Sequence, residues 1–454
     1  MSKCPALSAR RMMLAAPICG VRTSLAALAT SSATIRQFSS TALVAAKKKA
    51  AGGGSKRNSG KDEPKLLLGR PSNNLKIGVV GLPNVGKSTA FNCITSSNVL
   101  AANYPFATID PTEGRVAVPD PRFDFLCDLY QPKSKVPAYL TCIDIAGLVR
   151  GAASGAGLGN AFLANISAVD GLFHLTRCFV DDDVVHVENN KVDPIRDLGI
   201  IHDELRLKDA ENLTRRKADL EKITSRAGQT PETKAKKDEL EVVKKVYDWV
   251  AEQEKDVRVG QWENAEIEVI NTLQLLTAKP VIYLANVSED EYLEGNNRFL
   301  RDVQAWVGEN YTGDTVIPFS AGFEEKLSEL SSDERAEYLS LLGDGAKSAL
   351  PEIIVSGYRN LNLINFFTAG SGEVRAWTIR QGTKAPQAAG VIHTDFERGF
   401  ITAEIMKLAD LQALKSEAAV KAAGKYAQRG REHVMEDGDV AYFKFNVTRT
   451  GGKK

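Results

Sequence analysis

Residues 81–89 read GLPNVGKST, and their types and spacing suit the capture of phosphate. The run fits G-x-x-x-x-G-K-[S/T], in which a glycine-rich loop turns successive backbone N–H groups onto the phosphates of a nucleotide and hands over to a helix N-terminus. Asn84, Val85, Gly86, Lys87, Ser88 and Thr89 are therefore the expected nucleotide-binding residues. Lys87 would set its ammonium between the β- and γ-phosphates, where it also serves catalysis. Ser88 would give its hydroxyl to Mg2+, an ion that keeps several waters and takes few protein oxygens. A second Mg2+ oxygen is expected from a loop that closes over the γ-phosphate, and Thr108 sits in such a proline-punctuated connection, NYPFAT at 103–108. DIAG at 144–147 supplies the remaining pair. Asp144 would accept from the Mg2+ waters as an outer-shell group, and the Gly147 N–H would donate to the γ-phosphate.

These groups meet only if strands and helices deliver them to one place. The apolar runs at 76–80, 138–145, 171–176, 281–285 and 316–319 read as short strands alternating with helical segments, the pattern of a mostly parallel α/β sheet covered by helices. About a hundred residues separate the third run from the fourth, too many for a simple crossover. Asp193 and Pro194 form a helix start, and Leu198, Ile201, Leu205, Leu213 and Leu220 follow at helical spacing. Gly228 and Pro231 punctuate, and Leu240, Val243, Tyr247 and Val250 share a face of a second helix. Two such helices make an antiparallel arm of ~45 Å for ~30 residues each. Its charges at 215–217 and 234–237 are mixed with acids, and a solvated face accounts for them as well as RNA contact does. From 370 onward short strands and turns indicate a separate α+β domain. The expected division is 1–46 leader, 47–73 flexible basic linker, 74–192 nucleotide domain, 193–278 arm, 279–360 second part of the nucleotide domain, 361–447 C-terminal domain and 448–454 disordered tail.

The 454 residues carry 58 Lys and Arg against 57 Asp and Glu, a net charge of +1 that hides an asymmetry. Residues 1–61 hold 11 of the basic residues and no acid, which leaves the remainder at −10. An arginine-, serine- and alanine-rich start without acids is what a mitochondrial transit peptide looks like, with processing near 36–40. A disordered tail on a cytoplasmic protein is the alternative. No apolar run reaches the ~18 residues of a membrane span. The 6 cysteines lack metal or disulfide spacing, and Cys142 and Cys178 lie in strand-like runs as packing residues.

GLPNVGKST, NYPFATIDP, DIAGLVRGA followed by GLGNAFL, and ANVSE together resemble the Obg-related P-loop proteins, specifically the YchF or Obg-like ATPase subfamily. The resemblance runs from about residue 75 to 445 and ends in a β-grasp TGS domain. Most relatives read guanine with N-K-x-D, whereas this chain has Asn286, Val287, Ser288 and Glu289. The stacking lysine is gone and the carboxylate is one methylene longer, so the resemblance implies ATP over GTP. Asn286 or nearby backbone would then meet adenine, with Val287, Glu289 and Ser320 beside the base. Leu148 replaces the glutamine that orients water in many relatives. The resemblance points instead to His186 as the catalytic group, against its reading as a surface loop histidine. Asn84 matches an asparagine that helps hold K+ in cation-dependent members, and Ala107 replaces a cysteine found in several. A TGS domain and an arm imply a ribosome or rRNA partner, with Arg375, Arg380, Lys384, Lys425, Arg429 and Arg431 as phosphate contacts. A monomer is the favoured state. The expected activity is a Mg2+-dependent ATPase switch. A non-enzymatic RNA or ribosome adaptor and a GTPase are the rivals.

Overall fold

The computed structural model describes residues 66–70, 72–96, 113–145, 147, 158–186, 191–226, 230–343 and 345–446. The leader, most of the linker and the tail lie outside these. The first six-stranded sheet has the order β2 (Glu113–Ala117), β4 (Tyr139–Asp144), β1 (Lys76–Val80), β5 (Gly171–Arg177), β6 (Val281–Asn286) and β7 (Thr315–Phe319). β3 (Ser134–Val136) joins a second sheet instead. All neighbours in the first sheet pair in parallel except β2, which runs antiparallel to β4. Every residue of β5 and β6 is buried, the expected consequence of covering both faces of a parallel sheet. β2 was not expected. Its EGRVA buries only Val116, because a charged edge strand has little apolar signature.

Helices α1 (Lys87–Ser96), α2 (Pro121–Tyr130) and α3 (Leu158–Ala168) belong to the first half of this domain. The insertion then opens with α4 (Pro194–Arg226), whose start is capped by Asp193 Oδ1 accepting from the Arg196 N–H at 3.2 Å. α5 (Pro231–Tyr247) returns along it with Thr230 as N-cap and passes into a π-helical turn, Asp248–Glu252. Leu213 and Leu220 of α4 pack with Leu240, Val243, Val246 and Val250 of the return segment. The arm differs from the expected pair of long helices. α5 is only 17 residues against 33 in α4, and a third helix, α6 (Asn264–Leu273), adds Ile267 and Ile270 to the same core. At the root, the buried Asp209 accepts from the N–H groups of Leu276 and Thr277, both at 2.8 Å. Burial pushes that carboxyl up to about 6 despite these donors.

The arm's charges are largely paired internally. Arg216 and Lys236 both reach Glu239, and Arg215 reaches Glu211 at 2.9 Å. Five further helices complete the nucleotide domain: α7 (Glu289–Glu294), α8 (Arg298–Asn310), α9 (Ala321–Glu329), α10 (Ser332–Leu342) and α11 (Leu350–Asn360). Among the described residues no helix is long and apolar enough to cross a membrane.

The C-terminal domain starts with the hairpin β8 (Leu363–Ala369) and β9 (Glu373–Arg380). It continues through α12 (Ala385–Ile392) to β10 (Phe400–Lys407), β11 (Ala427–Arg429) and β12 (Asp439–Phe445), giving the sheet order β11-β10-β12-β8-β9-β3. Ala385, Ala388 and Ala389 of α12 pack on Phe366, Ile379 and Phe443. β3 pairs in parallel with β9, so the nucleotide domain contributes a strand to its neighbour. Arg122 adds an ion pair to Asp437 at 2.9 Å. Most of the basic residues expected to meet RNA here have other partners. Arg380 donates to the carbonyls of Leu68, Gly69 and Arg70, Lys384 pairs with Glu432, and Lys425 pairs with Asp410. Arg431 donates to the Phe400 carbonyl, and Arg375 lies over the Trp377 ring.

Candidate nucleotide site

β1 ends at Val80 between β4 and β5, so the chain leaves the sheet at the carboxyl edge, where open α/β sheets bind ligands. The turn that follows admits little but glycine at two points. A Cβ on Gly81 would lie 2.7 Å from the Leu175 carbonyl oxygen. Gly86 has φ +93°, and a Cβ there would meet Asn286 Nδ2 at 2.5 Å. Asn84 between them is left-handed, with φ 61°, a conformation asparagine tolerates better than most residues. Val85 is buried beneath the loop, and Thr89 lies half-buried in the first turn of α1.

Lys87 opens α1 and is 8% exposed, with Nζ donating to the Leu82 carbonyl at 2.8 Å. Burial lowers its pKa to about 8, against the opposing pull of Asp144. Ser88 Oγ donates to Asp144 Oδ2 at 3.2 Å. The other carboxylate oxygen, Asp144 Oδ1, is buried without a hydrogen-bond partner, and burial raises this carboxyl above its ordinary range. A buried oxygen lacking a donor beside a serine hydroxyl suits a hydrated divalent cation, so these residues fit Mg2+. A Cβ on Gly147 would lie 2.9 Å from Lys87 Nζ and 3.2 Å from the Pro83 nitrogen, so the glycine of DIAG abuts the phosphate loop. Thr108, Ala107 and Leu148 fall outside the described residues.

Asn286, expected to meet a base through its side chain or nearby backbone, has its side chain engaged within the protein. Its Nδ2 donates to the Val85 carbonyl at 2.9 Å and its Oδ1 accepts from the Ala321 N–H at 3.0 Å. Both halves of the amide thus brace the phosphate loop against the 320–321 turn, leaving the side chain engaged rather than turned to a base. Val287 likewise packs in the core, with its N–H bonded to the Phe319 carbonyl at 2.9 Å. Ser320 is buried as the N-cap of α9. Glu289 opens α7, where Ser288 is the cap. Its carboxylate pairs with Lys326 and accepts from the Tyr338 hydroxyl at 3.4 Å.

A third loop, 178–186, approaches from β5. Arg177, the last residue of that strand, is 1% exposed and closes the loop from within. Its Nε donates to the Phe179 carbonyl at 3.1 Å, Nη1 to Val184 at 2.9 Å and Nη2 to Asp181 at 2.9 Å. The folded loop brings the Val185 carbonyl to Asn84 Nδ2, 3.1 Å away. His186 is not on the surface. Its Nε2 lies 2.8 Å from Asp197 Oδ2 in the first turn of α4, and both side chains are 3% exposed. Asp197 Oδ1 in turn accepts from Arg196 Nε at 3.1 Å and Nη2 at 2.8 Å. Sequence reasoning missed Arg177, Asp197 and Lys326. The one available signal was an arginine closing an otherwise apolar strand run, GLFHLTR.

Two family models match the chain. One, described as 50S ribosome-binding GTPase, covers residues 76–286, and the YchF-GTPase C-terminal model, described as a protein of unknown function (DUF933), covers 363–446. The chain is similar to Obg-like ATPase 1 of Schizosaccharomyces pombe, 56% identical over 382 residues that span 84% of this chain and 96% of that one. Obg-like ATPase 1 of Homo sapiens is 55% identical over 393 residues, 86% of this chain and 98% of its own. A solved structure named for the Schizosaccharomyces pombe YchF GTPase superposes with a TM-score of 0.78 at 56% identity, covering 84% of this chain and 100% of that one.

Proposed function

The chain belongs to the YchF/Obg-like ATPase family of P-loop proteins, and on that premise we propose that it is a Mg2+-dependent switch that hydrolyses ATP in preference to GTP and acts with ribosomes. Nucleotide binding by the P-loop domain is common ground for the family. The observation that carries the proposal is the buried, donorless Asp144 Oδ1 next to Ser88 and Lys87. A bound Mg2+ would supply positive charge to offset the charge on the phosphates. Ser88 and Asp144 would hold it, with Thr108 as the further oxygen. At pH 7 Lys87 is mostly protonated, so its ammonium can leave the Leu82 carbonyl for the phosphates. Gly147 abuts Lys87, a Cβ there lying 2.9 Å from Nζ, and its N–H would serve the same oxygens. ATP preference is supported by Glu289, whose longer carboxylate is already paired with Lys326 and Tyr338 where guanine readers keep an aspartate free. The names of the relatives themselves divide between ATPase and GTPase.

His186 is the group we assign to orienting water, with K+ at Asn84 as its charge partner. The matching description "50S ribosome-binding GTPase" supports the ribosomal setting, and the acid-free leader supports the mitochondrial matrix over the cytoplasm. A non-enzymatic adaptor is the second reading, and what favours it is the burial of His186 against Asp197. Calorimetric titration of ATP and GTP with Mg2+ decides the base: tighter GTP binding would sink the assignment. Phosphate release with and without K+ and ribosomes decides turnover. No release under any of these conditions leaves the adaptor, and an unimpaired His186→Ala removes that residue from catalysis. A reporter fused to residues 1–46 should enter mitochondria.

A further inference from the structure

Residues 66–70, LLLGR, lie ahead of β1 and belong to no helix or strand, yet they meet all three parts of the fold. Leu66 and Gly69 donate their N–H groups to Asn264 Oδ1 at 2.9 Å and Asn271 Oδ1 at 2.8 Å, both on α6 of the arm. Asn271 Nδ2 donates back to the Leu67 carbonyl at 3.1 Å, and Leu68 packs on the arm's core. From the other side Arg380, the last residue of β9, donates to three successive carbonyls, those of Leu68 at 2.6 Å, Gly69 at 3.3 Å and Arg70 at 2.7 Å. The turn that gathers these carbonyls is made at Gly69, whose φ of +102° suits glycine. Arg70 anchors the run to the nucleotide domain, with Nε donating to Asp170 Oδ1 at 2.7 Å and Nη2 to the Ala168 carbonyl at 3.0 Å. Asp170 Oδ2 accepts from the Lys76 N–H at 2.8 Å, so the anchor lies at the end of β1 opposite the phosphate loop.

The three attachments differ in what they constrain. The C-terminal domain is held to the nucleotide domain without residues 66–70, through β3 on β9 and the Arg122–Asp437 ion pair. The arm has more freedom to lose. Its α4 runs 33 residues, ~50 Å at ~1.5 Å per residue, so a small rotation at the root becomes a large displacement at the tip. We propose that residues 66–70 form a strap that ties α6 to the C-terminal domain and so sets the angle of the arm, and that release of the strap lets the arm swing about its root while both domains stay folded. A segment held by side-chain hydrogen bonds at partly exposed positions opens at lower cost than the cores it joins, which is what a releasable tie requires.

The test uses the full chain and two variants that loosen the strap from opposite sides. Asn271→Leu keeps the shape of the side chain but deletes both of its hydrogen bonds to the strap, and Arg380→Met withdraws the guanidinium from the three carbonyls. Arg380 does not touch Leu66 or Gly69 N–H, so faster hydrogen exchange of those two amides in Arg380→Met, by about tenfold, is expected only if the strap lets go as a unit. Distances between spin labels at Lys222 on α4 and Gly430 in the C-terminal domain should spread at least about twofold more widely in either variant than in the parent chain. Amides in the arm core, Leu240 to Val246, and in β8 should exchange at their parent rates. An unchanged distance distribution overturns the proposal, as does exchange at Leu66 and Gly69 that ignores Arg380→Met. Faster exchange throughout both cores overturns it too, since the segment would then be part of the folding core and no strap. Should Arg380→Met fail to fold, the label distances and core exchange of Asn271→Leu decide alone.

Discussion

The phosphate loop and the 178–186 loop touch through Asn84 and Val185, but they get their shapes from different sources. The first is shaped by its own backbone: Gly81 and Gly86 occupy positions where a Cβ would strike Leu175 or Asn286, and Asn84 is left-handed between them. The second contains no glycine. It is folded around the guanidinium of Arg177, which lies before it in the chain and satisfies three of its carbonyls. A loop of the first kind leaves its conformational demand in the sequence. A loop of the second kind leaves only an arginine, whose partners are decided in three dimensions.

The comparison can be broken at several points. Lys87→Ala should weaken ATP binding by about a thousandfold, since truncating one partner of a buried charge pair costs ~2–5 kcal/mol. Thermal stability should not fall, because the removed ammonium was desolvated; a binding loss smaller than tenfold in calorimetry would contradict its phosphate role. Gly86→Ala should cost about 3 kcal/mol in chemical denaturation, combining a left-handed φ with loss of the Asn286–Val85 hydrogen bond. Nucleotide affinity should drop with it. Arg177→Met should cost about 2 kcal/mol by leaving buried carbonyls without a donor, yet keep ATP affinity within about threefold. An affinity loss as large as that of Gly86→Ala would mean that the two loops are one unit.

The smallest expected effect is on pH. Phosphate favours the charged form of Lys87, so its pKa rises from about 8 when nucleotide binds and binding takes up a proton above that pH. Affinity should therefore be about tenfold lower at pH 9 than at pH 7. Folding stability from the same group has the opposite sign. Its pKa is depressed below the unfolded value of 10.5, so the unfolded chain binds more protons between about 8 and 10.5 and the burial penalty fades as pH rises through that window. Calorimetry in buffers of different ionisation enthalpy checks the proton uptake.

Legibility in the sequence follows the same division. The parallel strands β1, β4, β5, β6 and β7, of which β5 and β6 are buried throughout, were readable because short, mainly apolar runs between turns have few other uses. β2 was not, being an edge strand with Val116 as its one fully buried residue. Lys87, Ser88 and Asp144 were readable as a spacing, and the structure brings them together. Asn286 or nearby backbone was expected to meet a base, and the Asn286 side chain faces inward to Val85 and Ala321. No local pattern distinguishes those directions, because both partners are remote in the chain. His186 was readable only by resemblance, and its link to Asp197 by nothing short of coordinates.

The strand that β3 lends to β9 bears on how portable the C-terminal domain is. Severed near residue 361, it would lose Ser134–Val136 and bare the hydrogen-bonding edge of Glu373–Arg375. An uncovered edge is a template for any other strand. Excised residues 361–447 should thus self-associate at concentrations where the intact chain does not, and exchanging this domain between relatives would require carrying a strand from a different part of the chain along with it.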